Sequence, residues 1–103
     1  VLAVSRFTSA APPAEVAELA AALLATWAQR PGFRGGELAH GLDDDTSWVL
    51  LTRWDGVGHY RRALSAADAR VAAHALLAHA RAEEGAFAVV LRRGEGPART
   101  GAP

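Results

Sequence analysis

Trp54 closes an apolar run and Tyr60 follows six residues later in TRWDGVGHY (52–60), with His59 just before the phenol. An indole and a phenol so placed can wall an internal cleft, and the phenolic hydroxyl there needs a hydrogen-bond partner. His74, in RVAAHALL, carries an imidazole that can take a proton from a bound molecule. Each residue also has a plainer reading. Trp54 is apolar mass at a strand end, His74 a satisfied core histidine, and His59 a solvated side chain or part of a pocket rim.

Other chemistries find less purchase. With no cysteine in the chain, thiol nucleophiles, thiolate metal sites and disulfides are excluded. The four histidines include no H-x-x-x-H pair, since His74 and His79 lie five apart, so no metal site is expected. Asp43, Asp44 and Asp45 lack the spacing and glycine of a calcium loop and read as a solvated turn. The glycines of FRGGELAHG do not open a helix as a phosphate cradle must, and there is no G-x-S-x-G nucleophile motif.

All 11 basic residues are arginine, spread from Arg6 to Arg99 and balanced by 11 acidic residues. Zero net charge without a basic cluster argues against nucleic acid and against anionic membranes as partners. Half of the 103 residues are hydrophobic, which suits one globular domain. No apolar run reaches the roughly 18 residues of a membrane helix, and no basic stretch leads an apolar signal core. A cytoplasmic protein is the expectation.

The positioning elements follow from periodicity. VLAVSRFT (1–8) is a first strand. Residues 11–32 form a helix opened by two prolines and stopped by Pro31 and Gly32, with Val16, Leu19, Leu23 and Trp27 as its buried stripe. Residues 33–42 and 47–54 are strands joined through the polar DDDT turn. A short helix covers 57–64, and a longer one covers 66–84 with Ser65 as its N-cap and Val71, His74, Ala75 and Ala78 on its apolar face. Residues 85–93 form a last strand. The order β-α-β-β-α-β predicts an α+β, ferredoxin-like split βαβ fold with a four-stranded antiparallel sheet. The domain spans 1–93, and 94–103 is a Gly/Pro-rich tail expected to fray.

Both faces of the sheet are apolar. In 47–54 one face carries Trp48, Leu50, Thr52 and Trp54, the other Val49, Leu51 and Arg53. Helices cover one side of such a sheet, so the second face needs another cover. A second copy, sheet against sheet, is predicted: a homodimer. Arg53 on that face needs a partner, and Glu37 of either chain is the candidate.

RPGFRGGEL after the first helix, WVLLTRWDGVGHYRRAL and ARVAAHALLAHA together resemble the antibiotic biosynthesis monooxygenase family over residues 2 to 92. The resemblance implies a small dimeric α/β barrel. In the branch of cofactor-free quinone-forming oxygenases, a Trp closing the third strand and a Tyr six residues on line the substrate cavity; Trp54 and Tyr60 match. His74 falls where an Arg is expected, and Leu50 where an Asn is. A haem-degrading branch places a His ligand on the long helix, where His74 falls. Its first-strand Asn is replaced at about Ser5, and its short-helix Trp by Ala63 or Leu64.

The resemblance therefore implies a cofactor-independent monooxygenase with molecular oxygen as co-substrate, oxidising a polycyclic phenolic or anthrone-like compound to a quinone. A planar apolar ligand would lie between Trp48, Leu50, Thr52 and Trp54 on the sheet and Trp27, Tyr60, Val71 and His74 on the helices. His59 stands at its rim, and Tyr60 or His74 assists proton loss. The alternatives are a small-ligand or haem-binding protein, and a polyketide-cyclase-like enzyme that consumes no oxygen.

Overall fold

A computed structural model describes residues 1–77 and 85–94. Strand β1 spans Leu2–Thr8, helix α1 Pro13–Ala28, β2 Phe33–His40, β3 Ser47–Trp54, α2 Val57–Ser65, α3 Ala67–Leu77 and β4 Gly85–Phe87. The strands form one antiparallel sheet in the order β2-β3-β1-β4. This is the ferredoxin-like arrangement expected from the sequence.

α1 begins where Pro13 takes the first turn, a position whose N–H has no helical acceptor in any case. Val16, Ala20, Leu23 and Trp27 form its buried stripe, with Leu19 half-buried beside it. The helix stops at Ala28, short of Arg30, which instead pairs with Asp68 at 2.7 Å and ties the end of α1 to the start of α3. Gly32 then turns the chain into β2 with φ of 86°. The Asp43–Asp45 stretch is a turn, as expected. Asp44 accepts from the Thr46 backbone N–H at 3.0 Å and from its hydroxyl at 2.7 Å.

Register assigns the faces. Leu50 lies opposite Ser5 and Leu38, and Trp48 opposite Phe7 and His40. Ala3, Phe7, Trp48, Leu50 and Trp54 are buried on the side that α1, α2 and α3 cover. The other side carries Leu2, Val4, Val49, Leu51 and Phe87, and no element of the described chain covers it. Arg53 on that side donates to Glu37 at 2.6 Å within the same chain, as the sequence suggested.

Three expectations need correction. Ser65 ends α2, its hydroxyl donating to the Arg61 carbonyl at 3.0 Å; it is not the N-cap of the next helix. The final strand is three residues long rather than nine, because Phe87 pairs with Leu2, where the β1 ladder runs out. Residues 88–93 continue without strand pairing in the chain, and Val90 and Leu91 are 94% and 79% exposed. Third, the buried face of α3 is Ala69 and Leu76 with half-buried Ala72 and Ala73, while Val71 and His74 are exposed. Residues 78–84 of the expected helix, and the tail from 95, lie outside the described residues.

Candidate active site

β3 supplies the floor of the helix-covered layer. Because side chains alternate, Trp48, Leu50, Thr52 and Trp54 all face the helices. Leu50 and Thr52 are buried between the two indoles, and Ser5 of β1 lies across from Leu50. Among the described residues, the buried polar side chains besides these aromatics are Ser5 and Thr52, and none is charged. The layer is uncharged, with hydroxyls and indole N–H groups as its polar vocabulary.

At the end of β3, Trp54 gathers an aromatic cluster. Its ring meets Trp27 edge-on at 5.9 Å and 77°, Phe33 at 5.2 Å and 81°, and Tyr60 at 5.9 Å and 51°. Edge-to-face contacts at such distances suit the ring quadrupoles. The indole N–H of Trp54 donates to the Thr52 hydroxyl at 2.8 Å, and that of Trp27 to the Ala63 carbonyl at 3.3 Å. Tyr60 is 7% exposed and comes from the first turn of α2, which starts directly after the Asp55–Gly56 corner.

At the other end, Trp48 lies between two rings from neighbouring strands. His40 stacks on it at 3.8 Å and 6°, and Phe7 lies near-parallel at 6.4 Å and 11°. His40 Nε2 is 2.6 Å from the Asp45 carbonyl, which anchors the imidazole over the indole. The Trp48 indole nitrogen is buried with no hydrogen-bond partner among the described residues.

The structure thus brings Trp27, Leu50, Thr52, Trp54 and Tyr60 together, with Trp48 on the same floor. It does not bring Val71 or His74 to them. Both lie on the exposed side of α3, opposite Ala69 and Leu76. His59 is half-buried outside the ring cluster; it packs on Gly32, where an added Cβ would lie 2.3 Å from the imidazole Cγ, and its Nδ1 is 3.3 Å from an Arg62 nitrogen. Phe33 adds to the residues expected from the sequence; a ring directly after Pro31-Gly32 was the available signal, and the strand register sets it opposite Trp54. Among the described residues no group of three or more His, Asp or Glu could hold a metal ion.

Fold and site define a ferredoxin-like α+β protein with an aromatic, uncharged layer between sheet and helices. The family model described as antibiotic biosynthesis monooxygenase matches residues 3–76, and the chain belongs to that family. It is similar to SnoaB, a cofactor-independent oxygenase from Streptomyces nogalater, at 33% identity and a TM-score of 0.81, over 91% of this chain and 96% of that one. At the level of fold it also matches a Deinococcus radiodurans protein named for the same family, with 15% identity and a TM-score of 0.73 over 92% of this chain and 97% of that one. A conserved Methanosarcina mazei protein matches at 13% identity and a TM-score of 0.67, over 82% of this chain and 84% of that one. Comparison with curated proteins gave no match.

Proposed function

We propose that this protein is a cofactor-independent monooxygenase that converts a polycyclic phenolic, anthrone-like substrate to a quinone. The observation that carries the reading is the buried contact of Trp54 and Tyr60, 5.9 Å apart between sheet and helices. The description of SnoaB as a cofactor-independent oxygenase supports it. An uncharged layer favours a neutral, planar ligand, because a buried ion would lack a counter-charge.

In this reading the substrate gives up a proton to water from the ring carbon opposite its oxygen, and the Tyr60 hydroxyl donates to that oxygen as negative charge gathers there. The electron-rich anion reduces molecular oxygen, and a carbon–oxygen bond forms to give a peroxide. A proton returns to the outer peroxide oxygen. The O–O bond then breaks as the second hydrogen leaves the carbon, releasing one water and the quinone. The protein contributes orientation and exclusion of bulk water, with oxygen as co-substrate. His74 has no part in this scheme, since it lies outside the layer. The residues do not fit haem either: the one histidine suggested as its ligand is that same exposed His74.

The open sheet face and the apolar overhang at 89–91 support a homodimer in which a second copy covers both. No described helix is long and apolar enough to cross a membrane. A chain without cysteine suits a cytoplasmic setting.

An oxygen electrode with an anthrone substrate tests the reaction. Stoichiometric uptake with quinone formation is expected, and Tyr60→Phe should lower kcat by about 10²-fold, the order expected for a single donor to a developing oxyanion. Cyclised product from an aromatic polyketide precursor, without oxygen uptake, would remove the oxygenase reading in favour of a cyclase.

A further inference from the structure

We propose that the indole N–H of Trp48 is the donor that holds a ring oxygen of the aromatic ligand, while Trp54 serves as a wall. The proposal rests on the reading of this layer as a site for a planar aromatic compound. Both indoles stand on the helix-facing side of β3, with Leu50 and Thr52 between them. Their hydrogen-bonding states differ. The N–H of Trp54 is committed to Thr52 at 2.8 Å and that of Trp27 to the Ala63 carbonyl at 3.3 Å. Trp48 is 6% exposed, and its N–H has no acceptor among the described residues.

A buried N–H without an acceptor is destabilising, so its retention calls for a reason, and a bound molecule that completes the bond is one. The ring is also held in place. His40 lies against it at 3.8 Å and Phe7 beside it at 6.4 Å, both within 11° of parallel, so a swing of the indole toward another acceptor would break two stacks. A fixed, desolvated donor is pre-organised for a ligand. The surrounding layer holds no buried charged side chain among the described residues. The fitting acceptor is therefore a neutral ring ketone, rather than a carboxylate or phosphate.

The test pairs Trp48→Phe with two probes: a hydroxyanthraquinone, and an anthracene with the same hydroxyls but no ring ketones. Trp48→Phe keeps a ring between His40 and Phe7 and removes only the donor and some area. Binding by calorimetry should weaken about tenfold for the quinone, as for loss of one buried hydrogen bond, and change little for the anthracene. Trp54→Phe should shift both probes alike. In wild-type protein labelled with ¹⁵N-tryptophan, the quinone should move the Trp48 indole resonance downfield. Should Trp48→Phe not fold, that shift decides the matter, with the signal assigned through Trp27→Phe and Trp54→Phe.

The proposal is overturned if Trp48→Phe binds the quinone as the wild type does, if it weakens both probes equally, if the Trp48 resonance does not respond, or if the wild type binds neither probe. Oxygen uptake with an anthrone reports the functional reading separately. A protein that binds the quinone through Trp48 yet consumes no oxygen loses the oxygenase reading and keeps this donor.

Discussion

Thr52 decides what the Trp54 indole can do. Its hydroxyl accepts from that indole at 2.8 Å in a residue only 1% exposed, so the bond is shielded from water. Thr52→Val keeps the shape and leaves the Trp54 N–H buried without an acceptor. Stability should fall by about 1–3 kcal/mol, read as a lower urea midpoint with an unchanged m-value. Much of the candidate site's placement was legible at this scale. Trp27, Trp54 and Tyr60 were readable because large rings at a helix stripe, a strand end and an early helical turn have few places to go. The hydroxyl–indole bond was not, since alternation puts both side chains on one face without saying which way an indole turns. The orphan N–H of Trp48 was equally invisible, because it depends on acceptors contributed by other strands and helices.

Among the elements, α3 shows where periodicity loses its grip. Seven residues separate Ala69 from Leu76, nearly two full turns, and that stripe faces the core. In an alanine-rich helix the stripe through Val71, His74 and Ala75 looked as apolar, and only packing against α1 distinguishes them. Leu76→Ala should therefore destabilise the fold by about 2–4 kcal/mol in denaturant titration, whereas His74→Ala should leave both stability and oxygen uptake close to wild type. The α1–α3 junction adds a pH dependence. A hydrogen bond from Arg30, then one from the Ala69 N–H, holds the Asp68 carboxyl below its ordinary range. A carboxyl depressed on folding stabilises above its unfolded pKa, and that contribution disappears as pH falls through the folded value. Asp68→Asn should narrow the stability gap between pH 7 and about pH 3, modestly, because the pair is exposed. The last strand failed for a different reason. Residues 88–91 are a valine-rich apolar run that reads as a strand, but a strand needs a neighbour, and β1 ends at Leu2.

For the whole molecule, the decisive feature is a sheet with two apolar sides and helices on one. Leu2, Val4, Val49 and Leu51 are half-buried by their neighbours along the strands, and Phe87 is 53% exposed. The Arg53–Glu37 pair, at 2.6 Å, neutralises the charge that would otherwise sit alone on this face. Leu51→Arg should convert a dimer in sedimentation equilibrium to a monomer while circular dichroism stays native, because the side chain has room to turn outward in a lone chain. A monomeric wild type at micromolar concentration would contradict the proposed assembly. The fold class was readable from the order of the elements, and the two-sided sheet from the lack of a polar face along the eight residues of β3.

The seat of His59 on Gly32 sets an asymmetry in how this corner can vary over evolutionary time. The imidazole occupies the volume a methyl group would need, and the glycine has φ of 86°, a conformation hostile to L side chains. Shrinking residue 59 would vacate that volume, yet leave the dihedral objection untouched. Position 59 can thus be varied without strain at the corner, whereas a non-glycine at position 32 would meet both the imidazole and the unfavourable dihedral.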